Sequence, residues 1–292
     1  MDKIIISGIN SINLAKRIGR RIKAKFISLE YKKFPDGELY LRLKSKINNE
    51  NVILVETLYP QNDSIVELLF LLDLINEFKP KSVTLVLPYF AYARQHKRYR
   101  NFEVISAKTL AKLIQNFEIN KIITVNLHSE EVIKFFDIPV VNLAAEKLIA
   151  EYFLNKDLKN PFVLIPDQER EVMAINAAEV LKCEYSFLKK YRSRVTGEIK
   201  TEILKDFDLK SRDVIILDDI ISSGKTMLNA IKIAKKKKAR NIFVSCVHYI
   251  PSNIYKKFLK LGVKEVVATN TIPSEISKID ISTLISKEIE NL

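Results

Sequence analysis

The chain has 292 residues, 47% of them hydrophobic, and its 48 Lys and Arg outnumber 35 Asp and Glu for a formal net charge of +13. That length suits two domains with sizeable cores, while no apolar run approaches the roughly 20 residues that cross a bilayer and the opening MDKIIISGIN lacks a signal-peptide pattern. Cys183 and Cys246 stand alone, without metal-site spacing or a disulfide framework, so a cytoplasmic protein is expected.

The positive charge admits nucleic acid or an anionic small substrate as partner. The main basic run, 235–238 with Arg240, falls at the end of a predicted helix, where cations complement the dipole. No stacking aromatics interleave with it, which speaks against nucleic acid. Abundant Lys, Ile and Glu with only 6 Gly fits either a thermophile or an AT-rich genome.

In chain order, residues 3–7 read as a strand, 11–21 as a helix and 26–29 as a short strand. Phe34-Pro35-Asp36-Gly37-Glu38 follows, then an alternating strand over 39–43. Pro-Asp-Gly is a turn signal; it makes either a plain hairpin or a tip whose phenylalanine and carboxylates stack on and read a base. Residues 52–56 read as a strand, and 64–78 as an apolar helix with Asp63 at its N-cap. The strand over 82–87 runs into Pro88-Tyr89-Phe90-Ala91-Tyr92-Ala93-Arg94-Gln95-His96-Lys97-Arg98. That stretch has no helical or strand face. It reads equally as a basic surface loop and as a polyphosphate site at a strand's C-terminal end.

A helix over 104–117 and a strand over 121–127 lead to His128, which lies where sites in open α/β sheets collect. From Ala144 the alternation restarts: helix 145–153, strand 162–165 ending in Pro166-Asp167, helix 169–181 and strand 184–188. Residues 189–197 read as a flexible basic loop that includes Lys190 and Arg192. Strand 242–247, whose successor His248 reads as packed, helix 254–261, strand 265–269 and a helix from about 282 complete the chain. Two parallel sheets with helices on both faces are predicted, one over 1–143 and one over 144–292.

The strongest signal is Val214-Ile215-Ile216-Leu217-Asp218-Asp219-Ile220-Ile221-Ser222-Ser223-Gly224-Lys225-Thr226. Its apolar run reads as a strand buried on both faces, ending at the two acids, with a short loop before a helix over 227–238. Strand, loop and helix in that order aim backbone N–H groups and a helix N-terminus at an anion. The acids suit hydroxyls or a metal-bound group better than a phosphate. A Walker A loop is excluded, because that motif needs a glycine five positions before Gly224 and residue 219 is aspartate.

This stretch resembles the ribose-5-phosphate loop of type I phosphoribosyltransferases. With Phe34-Pro35-Asp36-Gly37-Glu38, Tyr92-Ala93-Arg94-Gln95, Ile105-Ser106-Ala107-Lys108, Asn126-Leu127-His128, Phe135-Phe136-Asp137-Ile138-Pro139, Pro166-Asp167, Lys190-x-Arg192 and Thr269-Asn270-Thr271-Ile272-Pro273 in order, nearly the whole chain resembles the ribose-phosphate pyrophosphokinases (PRPP synthases). The compact form is most similar to archaeal members.

The resemblance implies two tandem type I phosphoribosyltransferase-like domains, the first on the ATP side and the second on the ribose 5-phosphate side. It implies transfer of the β,γ-diphosphoryl group of ATP to ribose 5-phosphate, with Mg²⁺, in a homo-oligomer of at least two chains. Phe34, Asp36 and Glu38 would hold adenine across a subunit interface, and Arg94, Gln95 and His96 would meet ATP. His128 and Asp167 would lie on or near Mg²⁺. Asp218 and Asp219 would hold the ribose hydroxyls, Ser222, Ser223, Gly224, Lys225 and Thr226 the 5-phosphate, and Lys190 and Arg192 would close over the reacting phosphates.

Two departures stand out. The family often has aspartate where Asn126 stands, which removes one negative charge near the metal. It often has small residues, including glycine, where Gln168-Glu169-Arg170 follow the Pro-Asp pair. A phosphoribosyltransferase using the same loop, or a non-catalytic regulatory subunit, are the rival readings.

Overall fold

The computed structural model describes residues 3–192, 199–202 and 207–291. Two units emerge, Met1–Ala144 with Ile281–Leu292, and Ala145–Asp280.

The first unit opens with β1 (Lys3–Ser7), α1 (Ile12–Arg21), β2 (Lys25–Phe26), β3 (Leu29–Lys33), β4 (Leu39–Leu43) and β5 (Asn51–Val55). It continues through α2 (Gln61–Glu77), β6 (Ser82–Leu87), α3 (Ser106–Ile114), β7 (Lys121–Val125) and β8 (Val140–Leu143). Its sheet has the order β2-β1-β5-β6-β7-β8, and every pairing in it is parallel. Parallel strands covered on both faces need apolar residues at successive positions; Ile4, Ile5 and Ile6, and Val52, Ile53, Leu54 and Val55, are accordingly all buried.

The second unit runs α4 (Glu146–Leu154), β9 (Phe162–Ile165), α5 (Glu171–Leu181), β10 (Glu184–Phe187), β11 (Lys189–Arg192), β12 (Ile199–Glu202) and β13 (Asp213–Ile221). Then come α6 (Lys225–Lys236), β14 (Asn241–Tyr249), α7 (Ile254–Lys260), β15 (Glu265–Thr269) and β16 (Ser277–Ile279). Its sheet, β10-β9-β13-β14-β15-β16, is parallel throughout. The core gathers Phe162, Leu164, Val214, Ile216, Met227 and Val244.

The two sheets share one topology. In each, the second strand lies outside the first, the third on its other side, and an antiparallel hairpin, β3–β4 or β11–β12, leaves between the second and third strands. The strand order therefore reverses between β1 and β5, and between β9 and β13. Such a reversal marks the place, at the strands' carboxyl ends, where open α/β sheets bind ligands.

Several elements differ from expectation. The last helix, α8 (Ser282–Glu290), falls in the first unit instead of the predicted 144–292. Its hydroxyl, backbone and carboxylate groups meet that unit: Arg21 Nε donates to Ser282 Oγ at 3.1 Å, Lys3 Nζ to the Ile289 carbonyl at 3.2 Å, and Lys121 Nζ to Glu288 at 2.7 Å. Helix α2 begins at Gln61, so Asp63 lies in its first turn and is not the cap. Residues 168–170 form a turn of 3-10 helix before α5. The predicted basic loop has strand backbone at β11, with Lys190 opposite Thr201 and Arg192 opposite Ile199. The side chains of Lys190 and Arg192, and residues 193–198, lie outside what the structure describes.

The largest difference is in β13, which runs past the acid pair. Asp218 pairs with Cys246 and Ile221 with Tyr249, because β14 also extends beyond its predicted end. Among the described residues, no helix is long and apolar enough to cross a membrane.

Candidate active site

In the second unit the strand order reverses between β9 and β13, and the candidate groups lie on β13 and on the turns that follow the two strands. Asp218 and Asp219 are both buried. Adjacent strand residues point to opposite faces, and here the Asp219 amide donates to Asp218 Oδ1 at 3.0 Å. Arg170, reaching over from the turn after β9, places Nε 3.2 Å from Asp219 Oδ2. Asp167 starts that turn, its Oδ1 accepting the Glu169 N–H at 3.2 Å.

After Ile221, only Ser222, Ser223 and Gly224 precede α6. Gly224 has φ +70, a conformation that costs glycine nothing. A Cβ there would also meet Ile254 Cγ1 at 2.4 Å and Phe258 Cζ at 2.9 Å. Glycine thus lets the loop turn sharply and seat on α7. No side chain caps the first turn of α6, so helix N–H groups and the Ser222, Ser223 and Thr226 hydroxyls supply donors for an anion. Lys225 opens the helix and is exposed.

In the first unit, the sequence-predicted residues fall into two groups. Phe34, Asp36 and Glu38 form the tip of the β3–β4 hairpin. The tip is closed by Phe34 N–H to the Glu38 carbonyl at 2.8 Å and Glu38 N–H to Asp36 Oδ1 at 3.1 Å. Phe34 is 37% exposed, with Tyr40 edge-on at 6.4 Å and Lys32 Nζ 4.7 Å over its ring.

Arg94, Gln95 and His96 belong to the loop after β6. Gln95 is fixed by its N–H to the Tyr92 carbonyl at 2.9 Å, and its own carbonyl accepts from Ala107 in the first turn of α3 at 3.3 Å. Arg94 is exposed, as are Lys97, Arg98 and Arg100, so the loop presents a dense cationic surface. Glu103 orders its far side by accepting the Tyr99 and Arg100 N–H groups at 2.8 and 3.0 Å; those amides hold its carboxyl below the ordinary range.

His96 is buried, with Nε2 3.3 Å from Glu131 Oε2 and its ring centroid 6.3 Å from that of His128. Its buried Nδ1 has no hydrogen-bond partner. His128 follows β7 after Asn126, whose φ of +41 is a backbone that asparagine and aspartate tolerate well. Asn142 Oδ1 then fixes the turn by accepting the Leu127 N–H at 3.0 Å.

Among the described residues, no three His, Cys, Asp or Glu converge on a common point.

Two features escaped the sequence reading. Arg170 was visible only as a departure from small residues. The basic run at the end of α6 is partly structural: Lys235 and Lys237 donate to the carbonyls of Leu261 and Phe207 at 2.9 and 2.7 Å, and Arg240 grips Asp213 through Nε and Nη2 at 2.8 and 2.6 Å. His248, read as packed, is buried with Nδ1 2.9 Å from Thr271 Oγ1.

Comparison with known proteins agrees with this architecture. Residues 3–117 match the model for the N-terminal domain of ribose phosphate pyrophosphokinase, and residues 133–275 match a phosphoribosyl transferase domain. Relatives named ribose-phosphate pyrophosphokinase include one from Sulfolobus acidocaldarius, 36% identical over 98% of this chain and 100% of the relative. Another, from Methanobrevibacter smithii, is 35% identical over 99% and 100%. The crystal structure of phosphoribosylpyrophosphate synthetase from Mycobacterium smegmatis shares the fold, with a TM-score of 0.87, 24% identity, and coverage of 99% of this chain and 98% of that one. With full-length relatives above 30% identity and both halves matched in order, this chain belongs to the ribose-phosphate pyrophosphokinase family.

Proposed function

We propose that the chain transfers the β,γ-diphosphoryl group of ATP to the 1-hydroxyl of ribose 5-phosphate, giving phosphoribosyl diphosphate (PRPP) and AMP for nucleotide biosynthesis in the cytoplasm. The supporting observation is a single chain with two complementary sets of groups. The second unit has an anion loop beside a buried acid pair, and the first has an exposed aromatic tip and a cationic loop at its strand ends. The names of the relatives point to the same chemistry.

In this reading, Asp218 and Asp219 accept hydrogen bonds from the ribose hydroxyls. A carboxylate acceptor makes such bonds stronger than a neutral one does. The amides and hydroxyls from Ser222 to Thr226, with the Lys225 ammonium, take the 5-phosphate at the N-terminus of α6. Phe34 stacks on adenine while Asp36 and Glu38 read its edge, and the hairpin serves the site of a second copy in a homo-oligomer. Arg94, Gln95 and His96 meet the ATP phosphates.

His128 and Asp167 would hold Mg²⁺ or lie beside it, and the ion would supply charge neutralisation on the phosphates. Lys190 and Arg192, on β11, supply the remaining positive charge as the transfer proceeds. Phosphoryl transfer is catalysed mostly by positioning and electrostatics, and the planar guanidinium can grip two oxygens at once.

The test is incubation with ATP, ribose 5-phosphate and Mg²⁺, following AMP and PRPP. Formation of both in equal amounts is expected. PRPP consumption with a nucleobase, and no AMP from ATP, would replace this reading with that of a phosphoribosyltransferase.

A further inference from the structure

The turn after β9 does more than carry Asp167. Its geometry is tight: Asp167 caps the Glu169 N–H through Oδ1, and its carbonyl accepts the Arg170 N–H at 2.9 Å. That turn sends the Arg170 side chain from the end of β9 across to the neighbouring central strand, where Nε stands 3.2 Å from Asp219 Oδ2. Only 17% of the Arg170 side chain and 7% of the Asp219 side chain are exposed. The pair is therefore largely shielded from water.

A carboxylate this deeply buried has lost its hydration, and stays ionised only against a compensating charge or donors. The guanidinium is always protonated and planar, so it fixes the carboxylate's orientation as well as its charge. A carboxylate has acceptor sites enough to hold a guanidinium and a hydroxyl together. The Asp219 amide meanwhile donates to Asp218 Oδ1, which orients the neighbouring acid. Small residues at this turn could not reach; a long cationic side chain can.

We propose that Arg170 is a positioning residue for the sugar: it holds the Asp219 carboxylate aimed for a ribose hydroxyl, and thereby sets the preference for ribose 5-phosphate over its deoxy analogues. This rests on the reading of the acid pair given above. It assigns Arg170 a role in sugar recognition rather than in the transfer step, since it acts through Asp219.

The test compares wild type with Arg170→Gln and Arg170→Met, the second keeping the packing of the stem should the first not fold, and with Arg170→Lys. Each is assayed with ribose 5-phosphate, 2-deoxyribose 5-phosphate and 3-deoxyribose 5-phosphate. Losing an oriented charge-assisted bond corresponds to roughly tenfold or more. The uncharged variants should raise KM for ribose 5-phosphate about tenfold, leave KM for ATP unchanged, and keep kcat within about threefold. They should also lose most of the wild-type discrimination against at least one deoxy sugar, and Arg170→Lys should recover part of it. A merely structural role would alter both Michaelis constants alike and leave the sugar ratios intact; that result would overturn the proposal. Absence of AMP formation in the wild type would instead sink the underlying reading of the site.

Discussion

The two units carry the same sheet and use it in opposite ways. Strands β5 and β13 hold the same place in strand order, and Asn51 to Thr57 stands where Asp213 to Asp219 stands in the other unit. Glu56 thus occupies the position of Asp218. It is fully buried and neither carboxyl oxygen has a hydrogen-bond partner; the nearby Gly8 N–H is donated to the Val55 carbonyl at 3.1 Å. Room for Glu56 comes from Gly8, where a Cβ would lie 1.4 Å from Glu56 Oε2. Burial, and then the neighbouring Glu67, push the Glu56 carboxyl well above its ordinary value. In the second unit, Asp219 faces a guanidinium instead.

The turns diverge in the same sense. Helix α6 starts with Lys225 and has no acid in its first turn, whereas α2 carries Asp63 there. An acid at a helix N-terminus itself answers the dipole and repels an incoming anion. One scaffold thus carries an acid-free helix start after β13 in one copy and an acidic strand end, with Glu56 and Glu67, in the other. The first unit's proposed functional groups lie instead on its hairpin tip and the loop after β6.

The sharpest way to break this contrast is at β11. Lys190→Ala and Arg192→Ala should each lower kcat by about a hundredfold or more, the scale of losing one oriented charge donor, with little change in binding of either substrate. Steady-state kinetics beside calorimetric titration of a non-hydrolysable ATP analogue measures this, and near-normal kcat in both variants would remove them from the transfer step.

Next comes the acid pair. Asp218→Asn or Asp219→Asn exchanges a charge-assisted bond for a neutral one and should cost about 1.5–3 kcal/mol in kcat/KM for ribose 5-phosphate, while ATP binding changes far less. Normal sugar kinetics in both would mean the pair does not hold the hydroxyls.

The hairpin tip of the first unit should answer in the other substrate. Phe34→Ala removes a base-stacking surface worth about 1–3 kcal/mol, so KM for ATP should rise and that for ribose 5-phosphate should stay. Equal changes in both would argue for a general loosening of the hairpin.

The smallest effect is expected at the strand end that has no anion loop. Glu56→Gln should leave the kinetics of both substrates unchanged. Its signature is in stability: the native carboxyl, with its pKa raised, keeps a proton that the unfolded chain releases above about 4.5. Wild-type stability therefore falls as pH rises from that value towards the folded-state pKa, and the glutamine variant should lack this fall. Urea unfolding at about pH 5 and about pH 8 tests it; parallel profiles for the two proteins would show that Glu56 does not titrate differently on folding.

Much of this protein is written locally. Runs such as Lys3–Ser7 and Phe162–Ile165 have the bounds predicted for them, because a strand buried on both faces needs unbroken apolar side chains. The Asp-Asp pair and the Ser-Ser-Gly-Lys-Thr loop were legible for the same reason: strand, turn and helix follow one another within a few residues. Tertiary structure decided what depends on neighbours distant in sequence. Strand β13 continues through Asp218 and Asp219 because β14 offers a partner as far as Tyr249. Residues 189–192 are extended because 199–202 pair with them. Helix α8 joins the first unit through Lys3, Arg21 and Lys121. The pairing of Arg170 with Asp219 arises the same way: a parallel sheet sets β9 beside β13, although 49 residues separate the two side chains in the chain. Residue types and local spacing determined which groups the chain possesses; only the sheet order decided which of them meet.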